Sequence, residues 1–138
     1  KQTVVPMLMF VTDVHSLGLN AAQGMYLTEG FYWDKDEKTR AFSKRFILQH
    51  KRMPSMVQAG VYSSVLAYLN AVQKAGTDDT QAVMKALKYT NIDDGLFKGK
   101  IRADSKFEHD MYLLEVKKAF RIHKPMGLLP CSCCDSCC

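Results

Sequence analysis

The chain has 138 residues, 47% of them hydrophobic and 24% charged, with 19 Lys and Arg against 14 Asp and Glu for a formal charge of +5. That length is about one domain, and no apolar run approaches the roughly 18 residues needed to cross a bilayer. The basic excess is small and spread along the chain, with acids interspersed among the Lys and Arg of residues 35–52, so it reads as a solvated surface and not as a nucleic-acid patch. The sequence starts at Lys1, without an initiator Met or a signal peptide, and turns strand-like at once. It is expected to be a chain that has lost its N-terminal part.

Residues 4–11 (VVPMLMFV) form a short continuous apolar run, which predicts a strand buried on both faces of a parallel sheet, with Pro6 near its start. Residues 12–16 follow as a polar loop and residues 18–23 as a short helical piece. Residues 24–31 (GMYLTEGF) make a second strand. Strand, helix and strand in that order predict a right-handed crossover that places the two strands parallel in one sheet. Asp34 or Asp36 can cap a helix running to about His50, with Glu37 in its first turn. Met53-Pro54-Ser55 then breaks and restarts the chain.

In the next helix Met56, Val57, Val61, Val65, Leu66, Leu69 and Val72 recur at three and four, which sets them on one face. Gly76 tolerates a positive φ just past its end. Thr77 or Asp78 can cap a further helix with Val83, Met84 and Leu87 as its apolar stripe. Residues 95–103 and 107–116 are β-prone around Asp104-Ser105 and predict an antiparallel hairpin at a sheet edge. Alternation places Tyr112, Leu114 and Val116 on one side, with Met111, Leu113 and Glu115 on the less buried other. The whole is an α/β chain, a parallel sheet flanked by helices with a C-terminal hairpin. Residues 1–118 form its folded part, and residues 119–138 are a tail without any period.

Three groups of residues could carry chemistry. The tail ends in C-x-C-C-x-x-C-C and holds all five cysteines. Thiolates so spaced can ligate zinc or copper, but none of the four histidines is linked to them by spacing, so no metal is assigned. Thr12, Asp13, His15 and Ser16 stand directly after the first predicted strand, where open α/β sheets hold their ligands. Asp13 can pair with an ammonium, and His15 or Ser16 can donate to a carboxylate. Equally, Thr12 or Asp13 can cap the helix that follows and leave His15 on the surface. Tyr26, Phe31, Tyr32 and Trp33 at the second strand can floor a cleft or simply pack. No nucleophile elbow, P-loop or dinucleotide glycine motif occurs, and Ser63-Ser64 lies in a helix with no base beside it, so the chain is not expected to be an enzyme.

The wording of residues 8–34 (LMFVTDVHSLGLNAAQGMYLTEGFYWD), TRAFSKRF at 39–46, the Met-Pro-Ser entry with its Tyr-centred helix and AGTDD, and HDMYLLEVKK at 109–118 resembles a known family. It is that of the branched-chain amino acid type of ABC-transporter substrate-binding proteins, the leucine/isoleucine/valine-binding-protein-like type I periplasmic binding fold. The resemblance covers residues 1 to about 118 and implies part of one lobe of a two-lobed receptor. That receptor would close on a small molecule and present it to permease subunits in the membrane. It further implies that the N-terminal lobe and its signal peptide lie in a missing part, that the protein is periplasmic, and that no cofactor and no nucleic acid is involved. An acid that binds the α-amino group would correspond to Asp13. Thr12, His15 and Ser16 would join it at the cleft, with Tyr32 near its mouth. The local spacing departs from the amino-acid pattern, so an amino acid, an amide or an aromatic carboxylate all stay open as ligand. The same fold also serves in ligand-sensing regulatory and receptor domains, which is the alternative. A one-base slip from Ala119 onward, with suitably chosen codons, turns the tail into a peptide with the family's Pro-Trp-Asp-Tyr-Tyr segment. The tail is therefore expected to be disordered or aberrant and frameshifted.

Overall fold

The computed structural model describes residues 2–117. These fall into two compact units, residues 2–29 with 111–117 and residues 30–110, so the chain passes between them at Glu29–Gly30 and at Asp110–Met111. The Cys-rich tail and its expected disorder lie outside the described residues.

In the first unit α1 (Val11–Leu17) and α2 (Leu19–Ala22) lead into β1 (Tyr26–Glu29), and β5 (Tyr112–Glu115) returns to pair with it. The pairing is antiparallel, with Leu27 opposite Leu114 and Glu29 opposite Tyr112. Bonds from Gly24 N to Val116 O (2.8 Å) and from Val116 N to Met25 O (3.0 Å) carry the ladder past the strand ends. The predicted alternation of β5 holds: Leu114 and Val116 are buried, while Met111 and Leu113 are more than half exposed. Leu27 and Leu114 face each other fully buried, and each is worth about 1.5–3 kcal/mol of hydrophobic stabilisation.

Two expectations are corrected here. Residues 4–10 form no strand, and Val4, Val5, Met7 and Leu8 are exposed. Their run turns helical at Val11, because Val11 and Val14, one helical turn apart, are the apolar pair that finds cover. A short apolar run does not distinguish strand from helix by period. Residues 12–16 are accordingly helix, not loop. Without the first strand there is no crossover, and every strand pair among the described residues is antiparallel, not parallel. The partner of β1 comes from far along the chain, which no local pattern announces.

The second unit holds α3 (Glu37–His50), α4 (Met56–Ala75), α5 (Thr80–Leu87) and the antiparallel sheet β2 (Asn91–Asp93), β3 (Lys98–Ile101), β4 (Phe107–His109). Its helix starts obey local chemistry. Asp36 caps α3 by accepting from Thr39 N at 2.9 Å, while Asp36 N donates back to Thr39 Oγ1 at 3.0 Å. Ser55 accepts from Val57 N and donates its own N–H to Gln58 Oε1 at 2.8 Å. Gly76 ends α4 in the left-handed region at φ 67°. For α5 the cap is Asp79, which accepts from Ala82 N at 3.0 Å, not Thr77 or Asp78; Thr77 instead accepts from Asp79 N.

The hairpin forms between β3 and β4, turning at Ser105 with φ 68°. The second predicted segment, however, divides at Asp110, and its later half is β5 of the first unit. β2, which sequence reading missed, makes β3 the central strand. Of the predicted apolar stripe of α4, Val57, Val61, Val65 and Leu69 lie on an outward face and are about half exposed, whereas Met56, Leu66 and Val72 are half-buried. Ala59, Ser63 and Ala71 are buried on the opposite side, and α4 packs on α5. An aromatic core links the helices to the sheet, with Phe31 5.9 Å from Phe42 and 6.4 Å from Phe97 between ring centres. Tyr62 serves it as a packing residue, its ring 5.2 Å from Phe42.

Candidate functional site

Four of the five residues singled out in the sequence come together on α1. Val11 and Val14 turn inward, which leaves Asp13, His15 and Ser16 exposed and Thr12 half-buried. Thr12 with Ser16 and Asp13 with Ser16 are four and three residues apart, so they neighbour one another along the helix surface. Ser16 Oγ donates to Thr12 O at 3.0 Å. Asp13 Oδ2 accepts from Phe10 N at 2.8 Å, a helix-start bond of the capping kind.

The fifth residue, Tyr32, belongs to the other unit. It is buried, 7% exposed, in the segment between β1 and α3, with its ring 5.8 Å from that of Trp33.

Two features escaped sequence reasoning. Glu29 is fully buried at the end of β1, and its Oε1 accepts from Val11 N at 2.9 Å, which ties the start of α1 to the strand. No local signal discloses a bond over 18 residues. The second is a cavity of about 330 Å³ in the second unit, whose walls include Ser63, Asn70, Lys74 and Asp93. Ser63 Oγ donates to the Asp94 carboxylate, whose other oxygen accepts from Leu96 N and Phe97 N at 2.9 and 2.8 Å. That serine therefore ties α4 to the loop after β2. Ser64 donates to Gly60 O at 2.7 Å within its own helix. Among the described residues no group of three His, Cys, Asp or Glu is placed to hold a metal.

Comparison with known proteins defines the class of this α/β chain. Residues 1–121 match the family of periplasmic binding proteins, to which this chain belongs. A periplasmic binding protein from Burkholderia mallei, of known structure, is 48% identical over 88% of this chain and superposes with a TM-score of 0.84. A branched chain amino acid ABC transporter periplasmic ligand-binding protein from Burkholderia xenovorans LB400 is 41% identical over 87%, with a TM-score of 0.81. The leucine binding protein of Thermotoga maritima MSB8, 16% identical over 78% of this chain with a TM-score of 0.61, shares the fold. None of the curated proteins matches. The chain spans 32% of the length of each Burkholderia protein and 31% of the Thermotoga one. The α/β class and the family read from the wording of the sequence are thus shown, and the family is one of solute-binding proteins, not of enzymes.

Proposed function

We propose that this chain is part of the solute-binding component of an ABC importer. It would bind a small molecule in a cleft between two lobes and deliver it to the permease on the periplasmic side. The observation that carries this reading is the 48% and 41% identity to two solved periplasmic proteins over nearly nine tenths of the chain. The transport role is favoured over a sensory one by the similarity to the ABC transporter periplasmic ligand-binding protein of Burkholderia xenovorans. Ligand contacts are assigned to Thr12, Asp13, His15 and Ser16 of α1 and to Tyr32. An exposed carboxylate beside hydroxyl and imidazole donors suits a ligand with both an ammonium and a carboxylate, such as an amino acid. A short amide or an aromatic carboxylate would use the donors alone. Closure on such a ligand would convert its binding energy into a shape that the permease reads.

A thermal-shift screen of the full-length protein against branched-chain amino acids, other amino acids, short amides and aromatic carboxylates identifies the class. Asp13→Asn then tests the carboxylate. A hydrogen bond to a charged group is worth about 1.5–3 kcal/mol, so affinity for an ammonium-bearing ligand falls roughly 10- to 150-fold. Unchanged affinity for that ligand refutes the assignment of Asp13.

A further inference from the structure

We infer that Glu29 is the positioning residue of the α1 face, a cap supplied from β1 to a helix whose own N-cap residue offers none. α1 has seven residues, too few to hold helical structure on their own. Its N-cap position is Phe10, at φ −102° and ψ 160°, whose side chain offers no acceptor to the first turn. The start of the helix nonetheless has acceptors. Asp13 Oδ2 takes Phe10 N from inside the helix, and Glu29 Oε1 takes Val11 N from outside it.

Glu29 is the one charged residue among the buried side chains of the described residues, with 0% exposure. Its side chain shares the covered face of β1 with Leu27, opposite Tyr112. A carboxylate in such a place is costly without compensation, and a helix N-terminus supplies both a donor and a favourable dipole. Because strand residue 29 is fixed by its pairing with β5, the bond sets where α1 begins. It thereby sets the rotation about the helix axis that turns Asp13, His15 and Ser16 outward and Val11 and Val14 inward. The role of Glu29 in ligand binding rests on the reading of α1 as a contact surface; its role as cap does not.

The test compares Glu29→Ala with Glu29→Gln in the full-length protein. Glutamine keeps an oxygen that can accept from Val11 N, whereas alanine removes it. Amide hydrogen exchange reads the cap, with the Val116 amide, bonded to Met25 O, as internal reference. In the alanine variant the Val11 amide should exchange roughly tenfold faster or more, the factor that leaving a buried donor without its acceptor brings, with Val116 unaltered. Glutamine should stay within about threefold of wild type. L-leucine, acetamide and benzoate serve as ligand probes, and affinity for whichever binds should fall about tenfold in Glu29→Ala and be restored by Glu29→Gln.

Val11 protection unchanged in a folded Glu29→Ala protein overturns the cap. Lost protection with unchanged affinity overturns the positioning role. If alanine prevents folding, glutamine alone decides: protection and affinity within about threefold support the inference, and a tenfold loss of either overturns it. A wild-type protein that binds none of the three probes, or, where L-leucine is the probe that binds, an Asp13→Asn variant with full affinity for it, removes the contact reading and the positioning role with it. The exchange result for the cap would then still stand or fall by itself.

Discussion

Gly99→Ala should lower stability, although a glycine in a strand is ordinarily an invitation to stabilise. Gly99 sits in the central strand β3, opposite Ile92 on one side and His109 on the other. A Cβ built there would stand well inside the van der Waals contact distance of the Glu108 carbonyl oxygen, 2.9 Å from Phe107 Cε2 and 3.0 Å from the Glu108 carbonyl carbon. The obstruction is the backbone of the neighbouring strand, so it cannot be relieved by a side-chain rotation. Strands β3 and β4 have to move apart, and hydrogen bonds worth about 0.5–1.5 kcal/mol each are strained. Overpacking of this kind costs about 1–3 kcal/mol, against a gain of about 0.4–1 kcal/mol from a stiffer unfolded chain. A net loss of roughly 1–2 kcal/mol is expected, which for a unit of this size lowers Tm by about 4–16 °C. Gly60→Ala is the matched control: it lies inside α4, where the added Cβ meets nothing within 4 Å, and should stabilise by about 0.5–1 kcal/mol. Circular-dichroism melts of both variants decide. If Gly99→Ala melts at or above the wild type, the close approach of β4 is not a constraint and the argument fails.

Partial burial pushes the Asp36 carboxyl up, but the Thr39 N–H, the Lys35 ammonium, the Thr39 hydroxyl and the Lys38 N–H together hold it below its ordinary 3.8. A depressed folded value contributes stability above the unfolded one and loses it as pH falls through the folded one. The urea midpoint of Asp36→Asn should therefore lie below that of wild type near neutrality and converge with it under acid; a constant gap down to about pH 2 would contradict this. Leu114→Ala empties a site with 0% exposure and should cost about 2–5 kcal/mol by denaturant titration; a loss under about 1 kcal/mol would show that the pairing of β1 with β5 is not a packed core. The outward stripe of α4 is apolar enough to drive association. Val61→Ser with Val65→Ser should change stability by less than about 0.5 kcal/mol while reducing self-association of this chain in sedimentation experiments, and undiminished association would place the sticky surface elsewhere.

What could be read from the sequence alone was chemistry confined to a few neighbouring residues. The Asp36 cap closes on Thr39, the Ser55 cap on Val57 and Gln58, and the Gly76 stop on Val72. Each of these is complete within about one helical turn, so composition and order suffice to locate it. The alternation of β5 is legible for the same reason: one buried face imposes a period of two on consecutive side chains. Pairing is another matter. β1 meets β5 across the whole second unit, and nothing in residues 24–31 distinguishes an antiparallel partner far along the chain from a parallel one nearby. The run 4–11 is ambiguous because an apolar octet satisfies a buried strand and the approach to a helix equally well.

α4 and α1 show the same limit acting on function. Two stripes of α4 have helical spacing, Val57, Val61, Val65 and Leu69 on one side and Ala59, Ser63 and Ala71 on the other. Hydrophobicity favours the first as the core, yet burial selects the second, because small side chains permit α4 to lie close to its neighbours. Amphipathicity therefore locates a face without assigning its direction. At α1 the polar residues were found by their place after an apolar run, but the bond that aims them belongs to Glu29, 18 residues away. Residue identity is enough to nominate Asp13, His15 and Ser16 as groups with the right chemistry. Their orientation depends on a buried carboxyl group that only the folded chain brings to Val11, so ligand affinity should respond to Glu29 even though it lies beneath the surface proposed to meet the ligand.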